Sequence, residues 1–393
     1  MTATTPPRSR LPATVWALAW VSFFTDLSSE MIVPLLPAFL AGLGGSMVAL
    51  GLLQGTSELV VAALKLLSGW LSDRQAIKKP WIVVGYGLST LLRPLFALVQ
   101  TPLQAVLVRS GDRLGKGLRS APRDALIANC VAGPHRGAAF GVQRAMDHAG
   151  ALGGALVAST LVWWGCELRT VFALSLLPGL VAVLVLVLGV RERSAASPGG
   201  AEADPPGALR RLLPLLLVVV FSAIGGAVDL FVLARAGELG VPTAQLPLLW
   251  AVLHLVRSVL SQPLGALSDR LGQRRVIGTG LFVNGLVMLG FAQASSQVWM
   301  WPLFAVHGLH AAFTEGAERG YLAAQSGAGR RGRVFGVYHA VQGLSAFAGP
   351  VLLGLLWDEG GAATAFVAAA AVSLVALVLL IGIVPAAGAP RRG

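Results

Sequence analysis

Apolar residues run through the chain in stretches of about twenty, separated by short segments rich in Gly, Pro, Arg and Lys. A helix rising about 1.5 Å per residue needs such a stretch to cross a hydrocarbon layer of ~30 Å. The pattern predicts an all-α polytopic membrane protein with twelve transmembrane helices. They fall near 11–40, 46–72, 80–100, 103–130, 137–164, 170–190, 211–237, 244–267, 274–294, 299–325, 332–357 and 361–385. The first span is the most unusual. Its centre reads FFTDLSSEMIVPLLPAFL, which places Asp26 and Glu30 one helical turn apart, with Pro34 and Pro37 able to bend its outer half.

Composition agrees with this reading. Only 12% of the 393 residues are charged, against about 25% in soluble proteins, and mean hydropathy is +0.74. The net charge of +12 would suit a nucleic-acid partner, but its distribution excludes one. With a cytoplasmic N-terminus, the inner connections and both tails hold eighteen of the 30 Lys and Arg, and the outer connections hold only Arg169 and Arg235. That asymmetry is the positive-inside pattern, so the expected place is the cytoplasmic (inner) membrane, multi-pass, with both termini cytoplasmic. Trp163, Trp164, Trp250, Trp299, Trp301 and Trp357 fall near outer ends, as an interfacial belt would. The first apolar stretch is too long for a cleavable signal peptide and holds Asp26, so it is expected to remain as a helix. Cys130 and Cys166 fall at opposite faces and have no metal-like spacing.

The chain also repeats itself. GWLSDR at Gly69 recurs as GALSDR at Gly265, and RGAAFGV at Arg136 recurs as RGRVFGV at Arg331, at offsets of 196 and 195 residues. Two landmarks in register argue for a duplicated unit. RERSAASPGGAEADPPGALRR, at 191–211, reads as a flexible linker between the copies. The expected organisation is an N-terminal six-helix bundle over 1–190, a cytoplasmic linker over 191–210 and a C-terminal six-helix bundle over 211–393.

GALSDRLGQRR at 265–275 and its weaker copy GWLSDRQAIKK at 69–79 resemble the loop signature of the major facilitator superfamily. The resemblance covers essentially the whole chain. The Gly-Pro pair found in the fifth helix of that superfamily's antiporters is degraded, since AGALGGAL has Ala155 where the repeat places Pro350. FTDLSSEM, DRLGKGLRSAPRDALIA and FTEGAERG resemble a distinct, largely unassigned branch. The resemblance implies two pseudo-symmetric bundles rocking about a central site. It makes Gly69, Asp73, Arg74, Gly265, Asp269, Arg270 and Gly272 a latch between the bundles, the glycines allowing close helix approach. Static helix clamping is the alternative reading of the same residues. A functional arginine early in the fourth helix is common in the family, and Arg109 and Arg113 match it by position.

Nine acids and ten bases fall inside the predicted spans. Each costs about 2.5–3.5 kcal/mol at bilayer depth unless it faces a cavity or a partner. Asp26, Glu30, Glu58, Arg109, Asp112, Arg113, Asp229, His254, Arg257, His307 and Glu315 are the candidates for proton coupling or substrate binding. Arg119, Arg123 and Asp124, with Glu318 and Arg319 opposite them in the repeat, are candidates for an inner gate. Gly115, Gly117 and Pro122 are expected to weaken the fourth helix. Arg144 and Asp147 are expected to pair with each other or with that helix, and Asp229 has no base nearby in sequence. Asp26 and Glu30 could each pair with an arginine of the fourth helix. Their counterparts in the repeat, Ser222 and Gly226, are uncharged, which favours a coupling site in the N-terminal half.

No nucleotide-binding loop, HExxH or GxSxG motif is present, so neither ATP drive nor an enzyme is expected. No cofactor or metal is implied. A secondary transporter of a polar or charged small molecule is, working as a monomer in the bilayer by alternating access. A carboxylate in an apolar cavity can load and release protons near neutrality, so protons are the expected second partner. Resemblance to the family's many exporters favours efflux by antiport. Proton-symport uptake and lipid translocation by the same fold are the alternatives.

Overall fold

The computed structural model describes residues 11–73, 77–131, 136–192, 208–325 and 331–385, nearly all of them helical and none in a strand. The first crossing is broken. Helix α1 (Ala13–Glu30) stops before IVPLLP, a 3-10 turn spans Val33–Leu35, and α2 (Leu36–Gly42) completes it. Pro34 and Pro37 have no amide hydrogen, so each removes a bond from the helical ladder at the break. The second half breaks at the corresponding place without proline: α9 (Ala208–Gly226) gives way to α10 (Asp229–Glu238). Glu30 is the last residue before one break and Asp229 the first after the other.

The remaining elements of the first half are α3 (Met47–Asp73), α4 (Lys79–Leu92), α5 (Pro102–Cys130), α6 (Arg136–Trp163), α7 (Leu168–Leu174) and α8 (Leu176–Gly189). In the second half α11 (Leu246–Leu271), α12 (Gln273–Gln293), α13 (Met300–Gln325) and α14 (Arg331–Ile383) complete the chain. Gly272 ends α11 at φ 91°, a left-handed turn that suits glycine, and Gly361 at φ 78° divides α14 into two helical runs. Eight helical stretches among the described residues are long and apolar enough to cross a membrane. α5, α6 and α13 are equally long but more charged.

α5 departs from expectation. Thr101 and Gln104 start it with a capping box, each side chain bonding the other's amide at 3.3 Å, with Pro102 in the first turn. It then runs unbroken through Gly115, Gly117 and Pro122. The glycines are packing positions rather than breaks. A side chain at Gly115 would strike the backbone of Gly85 in α4, and one at Gly117 would strike Leu64 of α3.

Helices before and after the linker pack chiefly within their own half, and the halves meet along two seams, α3 with α14 and α6 with α11. The first seam is backbone-close. Gly55 lies where a β-carbon would come within 2.6 Å of the Phe347 carbonyl, and Gly51 lies as tightly against Pro350. Gly69 and Gly265, expected to permit such approach, do not. A β-carbon at Gly69 would stand 3.8 Å from Ala121, and one at Gly265 would meet nothing within 4 Å.

The buried apolar residues define which end is closed. One core joins both halves: Ile32, Leu36, Phe39 and Phe172 of the first pack with Phe231, Leu249, Phe291 and Phe366 of the second. It lies away from the basic loops. Toward the basic loops each half has its own core, around Val15, Tyr86 and Leu186 in one and around Val219, Leu322 and Tyr338 in the other. Asp358 adds a polar clamp at the sealed end, accepting from the amides of Met47 and Val48 at 2.9 Å and so capping α3 across the halves.

Trp163, Trp164, Trp299 and Trp301 are exposed, as a belt requires, but Trp250 and Trp357 turn inward. Their indoles donate to carboxylates, Trp250 to Glu30 at 2.7 Å and Trp357 to Glu238 at 3.1 Å.

Candidate functional site

Between the halves, below the shared core, lies a polar cavity of two adjoining lobes, about 640 and 420 Å³. Val61 and Lys65 of α3, Arg319 of α13 and His339 of α14 border both lobes. The larger lobe is walled mainly by α1, α5 and α6, the smaller by α3, α9, α13 and α14.

Asp26 and Glu30 both face the larger lobe. The Asp26 carboxylate makes no hydrogen bond or ion pair among the described residues. Glu30 accepts from Trp250 of α11 and from Ser29 at 3.1 Å, so its partner comes from the opposite half rather than from an α5 arginine. His254 stacks edge-on against Trp250, ring centroids 4.8 Å apart, and lines the same lobe. One turn of α11 thus delivers an indole and an imidazole to the end of α1.

Arg119, Arg123 and Asp124 also line the larger lobe. Arg119 donates to Ser89 at 2.7 Å and lies 4.3 Å over the Tyr86 ring. Arg123 is paired locally with Asp124 at 2.9 Å. Lys116, Asp147 and His148 share this wall. Asp147 takes the Gln143 amide at 3.1 Å and forms no ion pair with Arg144, which is exposed; the expected pair is not made.

Arg109, Asp112 and Arg113 are not on the cavity wall. Asp112, fully buried, accepts from Arg93 Nε at 2.9 Å and from Arg109 at 3.4 Å, with Arg113 Nε at 3.7 Å. Arg93 also donates to the Thr25 carbonyl at 2.9 Å. This knot ties α5 to α1 and to the 3-10 turn Arg93–Leu98 that succeeds α4. Burial drives the assembly, since a carboxylate there must be matched by cations.

The smaller lobe holds Glu58, Asp229, Arg257, Glu315, Glu318 and Arg319. Asp229 does have a base: Arg257 grips it with two bonds of 2.8 and 3.0 Å, and His307 completes the cluster at 3.1 Å. His307 is buried behind Asp229, and of these two α13 histidines His310 is the one on the wall. Glu315 and Arg319 approach at 3.7 Å within α13. Glu318 is buried and, among the described residues, accepts only from the Tyr338 hydroxyl, at 2.7 Å. Glu58 makes no bond among the described residues. Gln54 of α3 spans the break in the second half, donating to the Ala227 carbonyl and accepting from the Leu230 amide, both at 3.3 Å. It satisfies backbone groups that the break leaves open.

Of the latch residues, Arg74 and the side chains of Asp73 and Asp269 lie outside the described residues. Arg270 is exposed, and Gly272 serves the turn into α12. Sequence reasoning missed Gln54, Gln143, His148, His310 and His339 as wall residues; polar side chains inside apolar stretches were the available signal.

A mixed-charge cavity enclosed between two sets of apolar helices and sealed at one end defines a membrane transport protein. The major facilitator superfamily pattern matches residues 18–260 and 215–393. An uncharacterised MFS-type transporter of Methanocaldococcus jannaschii is 31% identical over 362 residues, 88% of this chain and 89% of that one. The chain belongs to the major facilitator superfamily, whose members are transporters rather than enzymes. The multidrug resistance protein MdtH of Aeromonas hydrophila is 26% identical over 87% of each chain. Among solved structures, the nucleoside transporter NupG superposes with a TM-score of 0.77 over 94% of this chain and 98% of that one, at 13% identity.

Proposed function

We propose that the protein is a proton-coupled secondary transporter that exports a polar or charged small molecule across the cytoplasmic membrane by alternating access. The supporting observation is Asp26, a carboxylate without a partner among the described residues, on the wall of a cavity sealed at one end by a core common to both halves. A group in that position can exchange protons with the cavity and feel any solute that enters it. Glu30 and Glu318, held by neutral donors instead of cations, are further carriers. The basic loops support an open end facing the cytoplasm, with both termini on that side. The relation to a multidrug resistance protein favours export.

Purified protein in proteoliposomes, screened against polar metabolites with and without an imposed pH gradient, tests the proposal. A transported solute should respond to the gradient, and Asp26→Asn should remove that response without reducing insertion. A proven substrate whose flux ignores the gradient would rule out proton coupling.

A further inference from the structure

One face of α5 carries more positive charge than its surroundings neutralise. Arg109, Arg113, Lys116 and Arg119 succeed one another at three- and four-residue steps, with Asp112 the one acid among them. Both Asp112 oxygens are engaged, one by Arg93 and the other by Arg109. Arg113 is left over. It is only 7% exposed, its Nε has no hydrogen-bond partner, and its approach to Asp112 at 3.7 Å is too long for a hydrogen bond. Lys116, one turn along, reaches the larger lobe, and its ammonium makes no bond among the described residues. Asp26 lines the same lobe and Glu58 the adjoining one. Neither carboxylate closes to an ion pair with Lys116. Arg119 is held by a hydroxyl and a ring, both neutral.

A buried guanidinium without a counter-ion of its own is costly, and at membrane depth the cost persists unless an anion is supplied. The smaller lobe has no comparable surplus: Arg257 is matched by Asp229 and Arg319 by Glu315. Among the described residues, the larger lobe is lined by six Lys and Arg against the four acids Asp26, Glu30, Asp124 and Asp147, and α5 supplies Lys116, Arg119 and Arg123 of the six.

We infer that the transported solute is an organic oxyanion, a carboxylate or phosphate ester, whose charged group binds against Lys116 and Arg119 with Arg113 behind them. Planar guanidinium and ammonium donors suit such oxygens. The inference rests on the transporter reading and names the substrate class of that cavity.

The test uses the full chain in detergent, at constant ionic strength in chloride buffer. Succinate and glycerol phosphate are titrated while thermal unfolding and tryptophan fluorescence are monitored, with ethanolamine as the cationic comparison. Both anions should bind saturably in the millimolar range or below, and whichever binds tighter identifies carboxylate or phosphate as the better group. Arg113→Gln and Lys116→Gln should each weaken binding about tenfold or more. Arg113→Lys should recover most of it, which guards against a folding defect, and Arg191→Gln, at an exposed position after α8, should change nothing. Absence of saturable anion binding, or unchanged affinity in both α5 variants, would overturn the inference. Saturable, Arg113-dependent binding with no flux in liposomes would uphold the anion site and refute transport. Flux of a cationic or neutral solute at wild-type rate in Arg113→Gln would do the reverse.

Discussion

Replacing Asp112 by Asn should damage the fold more than the transport chemistry. The carboxylate is fully buried and is the only acid among Arg93, Arg109 and Arg113. An amide of the same shape keeps the volume, removes the negative charge and leaves three cations facing one another. Breaking a buried ion pair by removing one partner costs ~3–5 kcal/mol. With a Tm change of about 2–4 °C per kcal/mol for a unit the size of one half, the loss is on the order of 10 °C. Thermal unfolding of the purified protein in a mild detergent, read by size-exclusion fluorescence, measures it. Arg93→Gln should cost a similar amount, and the double variant less than the two singles together, because both remove one interaction. A variant with unchanged Tm and no flux would refute the reasoning and return Asp112 to the transport site.

Asp26→Asn, by contrast, should leave stability within about 1 kcal/mol of wild type, since the carboxylate has no bond to lose among the described residues; thermal unfolding run beside the flux assay checks this. Trp250→Phe removes the donor to Glu30 and one of the links across the cavity roof. A hydrogen bond to a charged group contributes about 1.5–3 kcal/mol, so cysteine-accessibility labelling should show the sealed end opening at least several-fold more often. Asp358→Ala should act in the same direction with about 1 kcal/mol, the worth of a helix cap. Gly55→Leu should prevent α3 from seating on α14, seen as loss of monodisperse protein, because its side chain would meet the Phe347 carbonyl.

The sequence made the architecture legible because period, length and loop charge are local properties. The helix break after Glu30 comes from Pro34 and Pro37, and the Glu315–Arg319 contact from four-residue spacing. What the sequence concealed were partners brought by other helices. Asp112 stands four residues before Lys116 on α5, yet it is engaged by Arg93, which arrives from the turn after α4. Asp229 looked unpaired until α11 brought Arg257, 28 residues away, to its carboxylate. Trp250 read as a lipid-facing anchor because position along the helix was visible and rotation about it was not. His307 and His310 sit on one helix, yet only packing decides which meets Asp229 and which meets the cavity.

The core that joins the halves has a thermal consequence. To open that end, Ile32, Leu36 and Phe39 must part from Phe231, Leu249 and Phe366, and water must wet faces that are dry in this arrangement. Hydrating apolar surface raises heat capacity, so the free energy of opening curves with temperature instead of tracing a line. Turnover limited by that step should therefore give a bent Arrhenius plot. Shortening the apolar contact, for example by Phe39→Ala, should straighten the plot while it speeds opening.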